Sequence, residues 1–191
     1  MDKRKSKLSL ILEEIDLGVD KCTLVNNFCI LGVTLTNDLK VKLHINNMCH
    51  TCNKLLYVLR TLRSHGMDNI SINDVFVATI LNWMLYAVNS WRFLASQSDI
   101  DHLEIIIKCA CKFGYCNNNT PSFLMVVEQC GKKLFKAIVD DNTNILHHLL
   151  PSDIAHNHNT RLSGRQHFKL PIIEGVHDQW NFILNCLYNN I

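Results

Sequence analysis

Two thiols three positions apart, in Cys49-His50-Thr51-Cys52, are the pairing in this 191-residue chain best suited to gripping a metal. A tetrahedral zinc site needs four Cys or His ligands. His44, Cys109, Cys111 or Cys116 would be the candidates to complete it, but no second Cys-x-x-Cys and no paired histidines follow at finger-like spacing. Cys52 also falls on an apolar helical stripe. Packing of Cys49 and Cys52 in a core is therefore favoured over ligation, and no metal or other cofactor is expected. His147 and His148 are adjacent and so project from different helix faces. Asp140-Asp141 is the only Asp-Asp pair. Two-metal phosphoryl chemistry needs such pairs held close together, but this one follows Ile138-Val139 at the end of a helical pattern and reads as a solvated helix end. Arg161, Arg165, His167 and Lys169 form the densest basic patch of the tail, either a contact for nucleic acid or an acidic partner, or a solvated loop.

The whole-chain field does little to choose between these. Nineteen Lys and Arg face seventeen Asp and Glu, a formal charge of +2, too even for a dedicated nucleic-acid binder. Ten histidines add positive charge only in acid. With 48% apolar residues the composition is globular. Nine cysteines, an odd number at irregular spacing, read as buried thiols of a reducing compartment. The basic start Lys3-Arg4-Lys5-Lys7 is followed only by Leu8–Leu12 before Glu13-Glu14, too short for a secretion signal. An intracellular protein, cytoplasmic or nuclear, is expected. The uncharged stretch Val75–Trp91 is shorter than the ~20 residues of a membrane span, so it is expected to be a buried core helix, with no membrane contact.

The elements that must position these groups are mostly helical. Strand character is confined to residues 7–12 and 23–35, with Asn26-Asn27 as a tight turn. Thr36-Asn37-Asp38 offers capping oxygens, and Leu39, Ile45, Met48, Cys52, Leu55, Leu59 and Leu62 then recur at helical steps until His65-Gly66. A second helix runs from Ser71 or Asn73 to about Trp91, apolar on nearly all faces. A third starts near Ser98 with an inner stripe of Ile100, Leu103, Ile106 and Ile107. After the loop Asn117–Pro121 a fourth helix reaches about Val139, bent at Gly131. A short helix around Asn144–Leu149 stops at Pro151. Residues 152–175 read as irregular and exposed, and Trp180, Ile183, Leu184 and Leu187 as a final amphipathic helix. The fold class is mainly α: a helical bundle with a small N-terminal β-hairpin, divided as residues 1–36, 37–150 and 151–191.

Several of these stretches resemble one family in order and spacing. Phe28-Cys29-Ile30-Leu31-Gly32-Val33-Thr34-Leu35, then Asp38-Leu39 and His44-Ile45, looks like the hairpin and helix start that follow the palm in reverse transcriptases of non-LTR retrotransposons. Lys5-Ser6-Lys7, Leu59-Arg60-x-Leu62-Arg63, Leu85-Tyr86-Ala87…Trp91 and Leu103-Glu104 are similar to further stretches of that family. Phe113-Gly114-Tyr115-Cys116, Leu134-Phe135, His147-x-Leu149-Leu150-Pro151, Arg161-x-x-x-Arg165-x-His167 and Leu170-Pro171 resemble its C-terminal tails. The chain departs at Cys29 and Ile30, where Lys and Tyr are usual, at Val41, where Trp is common, and at Asn185, which replaces an Arg.

The resemblance implies a thumb-like bundle behind a primer-side hairpin. The family's metal-binding carboxylates lie upstream of that hairpin, where this chain has only residues 1–27. The expectation is thus a truncated, catalytically incomplete relative of an RNA-directed DNA polymerase, not itself an enzyme. Its residual role would be weak, non-specific contact with RNA or DNA. By the resemblance, Gly32 lets the hairpin approach a nucleic-acid backbone, and Lys40, Lys42, Lys54, Arg60 and Arg63 track phosphates, with Arg161 and Arg165 adding tail contacts. Gly32 relieving only a bend, and solvated lysines and arginines, are the plainer readings. Two rival functions stand beside this one: a domesticated helical module whose exposed apolar surface or hairpin edge binds a protein, and a small zinc-dependent fold around Cys49 and Cys52.

Overall fold

In the computed structural model, which describes residues 15–16, 21–22, 25–117, 120–152, 168, 170–172, 175 and 178–190, two short antiparallel pairs come first. Strand β1 (Ile15–Asp16) pairs with β2 (Lys21–Cys22), and β3 (Asn27–Ile30) with β4 (Val33–Thr36). The expected strand at residues 7–12 lies outside the described residues. The tight turn is not Asn26-Asn27: Asn27 already pairs with Thr36, and the chain reverses at Leu31-Gly32. Both turn residues have positive φ, 46° and 84°, the geometry of a two-residue turn whose twist matches the strands.

Thr36 and Asp38 do not cap a helix, another departure. The Thr36 Oγ1 accepts from the Lys40 backbone N–H at 3.1 Å, closing a loop in which Leu39 is left-handed (φ 56°). That residue prevents helical continuity, so α1 (Lys42–Ser64) starts three residues later, without a side-chain cap. It ends as expected at His65-Gly66: Gly66 takes φ 93°, and Met67 N–H reaches back to the Leu62 carbonyl, a Schellman ending.

Asp68 opens α2 (Asn69–Val75) by accepting from the Ile70 and Ser71 N–H groups at 2.9 and 3.0 Å. The helix continues through a π-helical turn, Phe76–Leu81, into α3 (Asn82–Leu85). It does not run unbroken to Trp91. Ala87 is left-handed (φ 50°) and separates off α4 (Val88–Trp91), a corner held by the Trp91 indole N–H donating to the Tyr86 carbonyl at 3.0 Å. Nor is this segment buried all round. Ile72, Phe76, Ile80, Met84, Val88 and Trp91 face the core, while Ile70, Val77, Trp83 and Tyr86 are exposed. By length and composition alone, the 26 residues Asn69–Leu94 meet the requirement for a membrane span.

Helix α5 (Gln97–Lys112) begins with a capping box between Ser96 and Asp99. Its expected stripe of Ile100, Leu103, Ile106 and Ile107 is buried. Helix α6 (Phe123–Asp140) is capped by Ser122 and runs as one helix past Gly131. The turn before Pro151 is a short 3-10 segment, His147–Leu149, and α7 (Phe182–Asn190) closes the described chain.

One core joins the hairpin, through Val33, to α1–α6, with Trp91, Phe76 and Phe123 its largest fully buried side chains. Each such side chain contributes roughly 1.5–3 kcal/mol. A second, smaller cluster packs Ile183 and Leu187 of α7 with Phe168 against Phe135, Val139 and Leu150. Phe168 is thus a buried point within the stretch read as exposed. The architecture is mainly α with a small hairpin, as the sequence implied.

Candidate nucleic-acid interface

Helices α1 and α5 end side by side, and their two endings build a groove. Gly114 (φ 71°) terminates α5 as Gly66 terminates α1. The Tyr115 N–H reaches the Ala110 carbonyl at 2.9 Å, and that of Gly114 reaches Cys111 at 2.9 Å, a second Schellman motif. This fold-back buries Tyr115 and leaves Phe113 about half exposed. The Arg63 Nη1 donates to the Phe113 carbonyl, and its guanidinium lies 4.7 Å from the centre of the Tyr115 ring. Arg60, one turn earlier, is exposed. With Leu56 and Tyr57 these residues line a shallow groove of about 430 Å³ that contains no carboxylate. Lys108 and Lys112, one turn apart on α5, are exposed close to its end.

The other expected contacts are dispersed. Lys54 is exposed on α1 but lies six residues from Arg60, about 120° around the helix at 100° per residue. Lys40 precedes α1 and is paired with Asp38. Their mutual hydrogen bond is the main force raising the Lys40 pKa and lowering that of Asp38, though both are solvent-exposed and so little stability follows. Gly32 occupies the hairpin turn, where an added Cβ would stand 3.4 Å from the Tyr86 ring; the Tyr86 hydroxyl donates to the Leu31 carbonyl at 2.9 Å. Arg161 and Arg165 lie outside the described residues.

Cys49 is half-buried and Cys52 fully buried in the main core. Burial pushes both thiols up, that of Cys52 to about 12, against the thiolate a metal requires. Among the described residues no three His, Cys, Asp or Glu side chains come together. Asp141 accepts from the Thr143 backbone N–H at 2.9 Å and from its hydroxyl at 2.6 Å. Those bonds hold its pKa below the usual carboxylate range, so this carboxylate serves its own turn. Cys111 and Cys116 depart from the expectation of thiols throughout: the α5 ending brings their Cα atoms to 4.9 Å, and they are joined as a disulfide.

Residue-type reasoning missed Tyr57, Phe113 and Tyr115 as site residues. The available signals were an aromatic on the polar phase of α1 and a Phe-Gly-Tyr where a helix must stop. The chain matches no family model, no curated protein and no solved structure.

Proposed function

We propose that this chain is a nucleic-acid-holding helical module of the reverse-transcriptase thumb kind, which binds RNA or DNA weakly and without sequence preference. The observation that carries the reading is the carboxylate-free groove at the ends of α1 and α5, with two guanidinium groups along it. Guanidinium groups on a concave, acid-free surface attract phosphates whatever the base sequence. The order of the hairpin, the His44-Ile45 helix start and the helical bundle supports the same reading. In it, polymerisation is not the work of these residues, since Asp140 and Asp141 sit at a helix end with Asp141 hydrogen-bonded to its own turn. Retention of labelled RNA or DNA at low salt, reduced by Arg60→Ala and less so by Lys54→Ala, is the expected result. No retention by the folded wild-type protein contradicts it.

A second reading is favoured by a specific surface. Ile30 and Leu31 of the hairpin tip and Val77, Trp83 and Tyr86 are exposed apolar side chains, and the Tyr86–Leu31 hydrogen bond brings the two groups together. A surface of this kind suits a protein partner. A defined oligomer in sedimentation, free of nucleic acid and dispersed by Trp83→Lys, is its test.

A further inference from the structure

We infer that the groove between α1 and α5 takes unpaired bases rather than the backbone of a duplex, so that the module selects single-stranded nucleic acid. This rests on the nucleic-acid reading above and names the substrate class of the same site.

The argument starts from what the groove's groups have left to offer. Arg63 is committed twice, to the Phe113 carbonyl and to the face of Tyr115. It holds the α5 ending in place and is a positioning residue: both partners are neutral, so its charge remains, but its guanidinium is fixed against the groove wall. The groove also lies where two helices end, and helix C-termini carry partial negative charge. Phosphates are therefore better placed at its rim, beside the exposed Arg60, than on its floor. What faces outward is aromatic: Tyr57 is 69% exposed and Phe113 52% exposed. Two large rings in solvent, flanking a recess with an arginine, have the composition of a stacking platform. Bases of any identity present a π-face to such rings, and an unpaired strand can turn its bases inward while its phosphates stay outside. Arg60, exposed at the groove, is placed to meet those phosphates. The volume, about 430 Å³, is within the range of small-ligand recesses, roughly 300–1,000 Å³. A duplex keeps its bases stacked on one another, with no free ring to offer.

The groove's geometry also fixes which variants are informative. Tyr57 and Phe113 lie half or more in solvent, so truncating either leaves the core intact. Arg63→Ala is uninformative, because it releases the Phe113 loop as well as removing charge.

The test compares a ~12-nucleotide single strand, a length within known single-strand site sizes, with a blunt duplex of the same length and salt. The wild type, Tyr57→Ala, Phe113→Ala, Tyr57→Phe and Arg60→Ala are measured, with thermal unfolding as the check on folding. The single strand is expected to bind at least ten-fold more tightly than the duplex. Each alanine variant should lose about ten-fold in single-strand affinity, equivalent to ~1.4 kcal/mol, with duplex affinity unchanged. Tyr57→Phe, which keeps the ring, should bind as the wild type does. Duplex binding equal to or tighter than single-strand binding overturns the inference. So does single-strand binding indifferent to both alanine variants while Arg60→Ala weakens it; in that case the nucleic-acid reading survives without the stacking site. No binding to either probe removes both.

Discussion

His44 shows how a single side chain sets a pH limit on this fold. It is buried, its Nε2 has no hydrogen-bond partner, and its ring meets Trp91 edge-on at 5.8 Å. Burial lowers its pKa below the ordinary 6.5, because the charged form has nothing to solvate it. The folded state thus binds a proton less readily than the unfolded one. The stability associated with neutral His44 is present in full above about pH 6.5 and is lost as pH falls towards the depressed native value. His44→Leu removes this linkage. The variant should gain on the wild type in thermal midpoint as pH is lowered from 7 to 5, and a constant difference would contradict the assignment. Leu31 offers a second prediction at this scale. It is left-handed in the hairpin turn and 85% exposed, so its side chain earns little packing for a conformation that costs an L-residue about 1–2 kcal/mol. Leu31→Asn creates the Asn-Gly pair such turns favour and should raise stability to urea by about 0.5–1 kcal/mol; a loss would show that the Leu31 side chain has a contact that matters.

Among the elements, legibility followed pattern strength. The stop of α1 at Gly66 and the inner stripe of α5 could be read directly, because a left-handed glycine and a four-residue apolar spacing have few alternatives. What escaped was governed by left-handed residues other than glycine, at Leu31, Leu39 and Ala87, which no local pattern marks. They moved the hairpin turn, delayed α1 and split the second helix. Ala87 is the clearest case, since tertiary contacts of Trp91 and Met84 in the core impose the corner against alanine's helical preference. Ala87→Gly should therefore stabilise the protein by roughly 0.5–1 kcal/mol in chemical denaturation. Destabilisation would mean the corner is not fixed before the side chain is considered. The candidate site was less legible than the fold. Arg60 and Arg63 follow from the family resemblance, yet only the two helix endings, distant in sequence, show that Arg63 is a structural brace and that Phe113 and Tyr57 complete the groove.

For the molecule as a whole, a near-neutral sum of charge coexists with a local acid-free surface, and the account stands on that local surface. Uniform charge would predict no useful affinity at +2; a groove with guanidinium groups and open rings predicts weak but salt-sensitive binding. The most direct measurement is the affinity of a single-stranded oligonucleotide as salt is raised from about 50 to 200 mM, for the wild type and for Arg60→Ala. The account predicts measurable binding at the low end that weakens steadily with salt, and a log–log slope shallower by about 0.7 in the variant, the loss of one phosphate contact. Absence of binding at the lowest salt, or a slope that Arg60→Ala leaves unchanged, would contradict it.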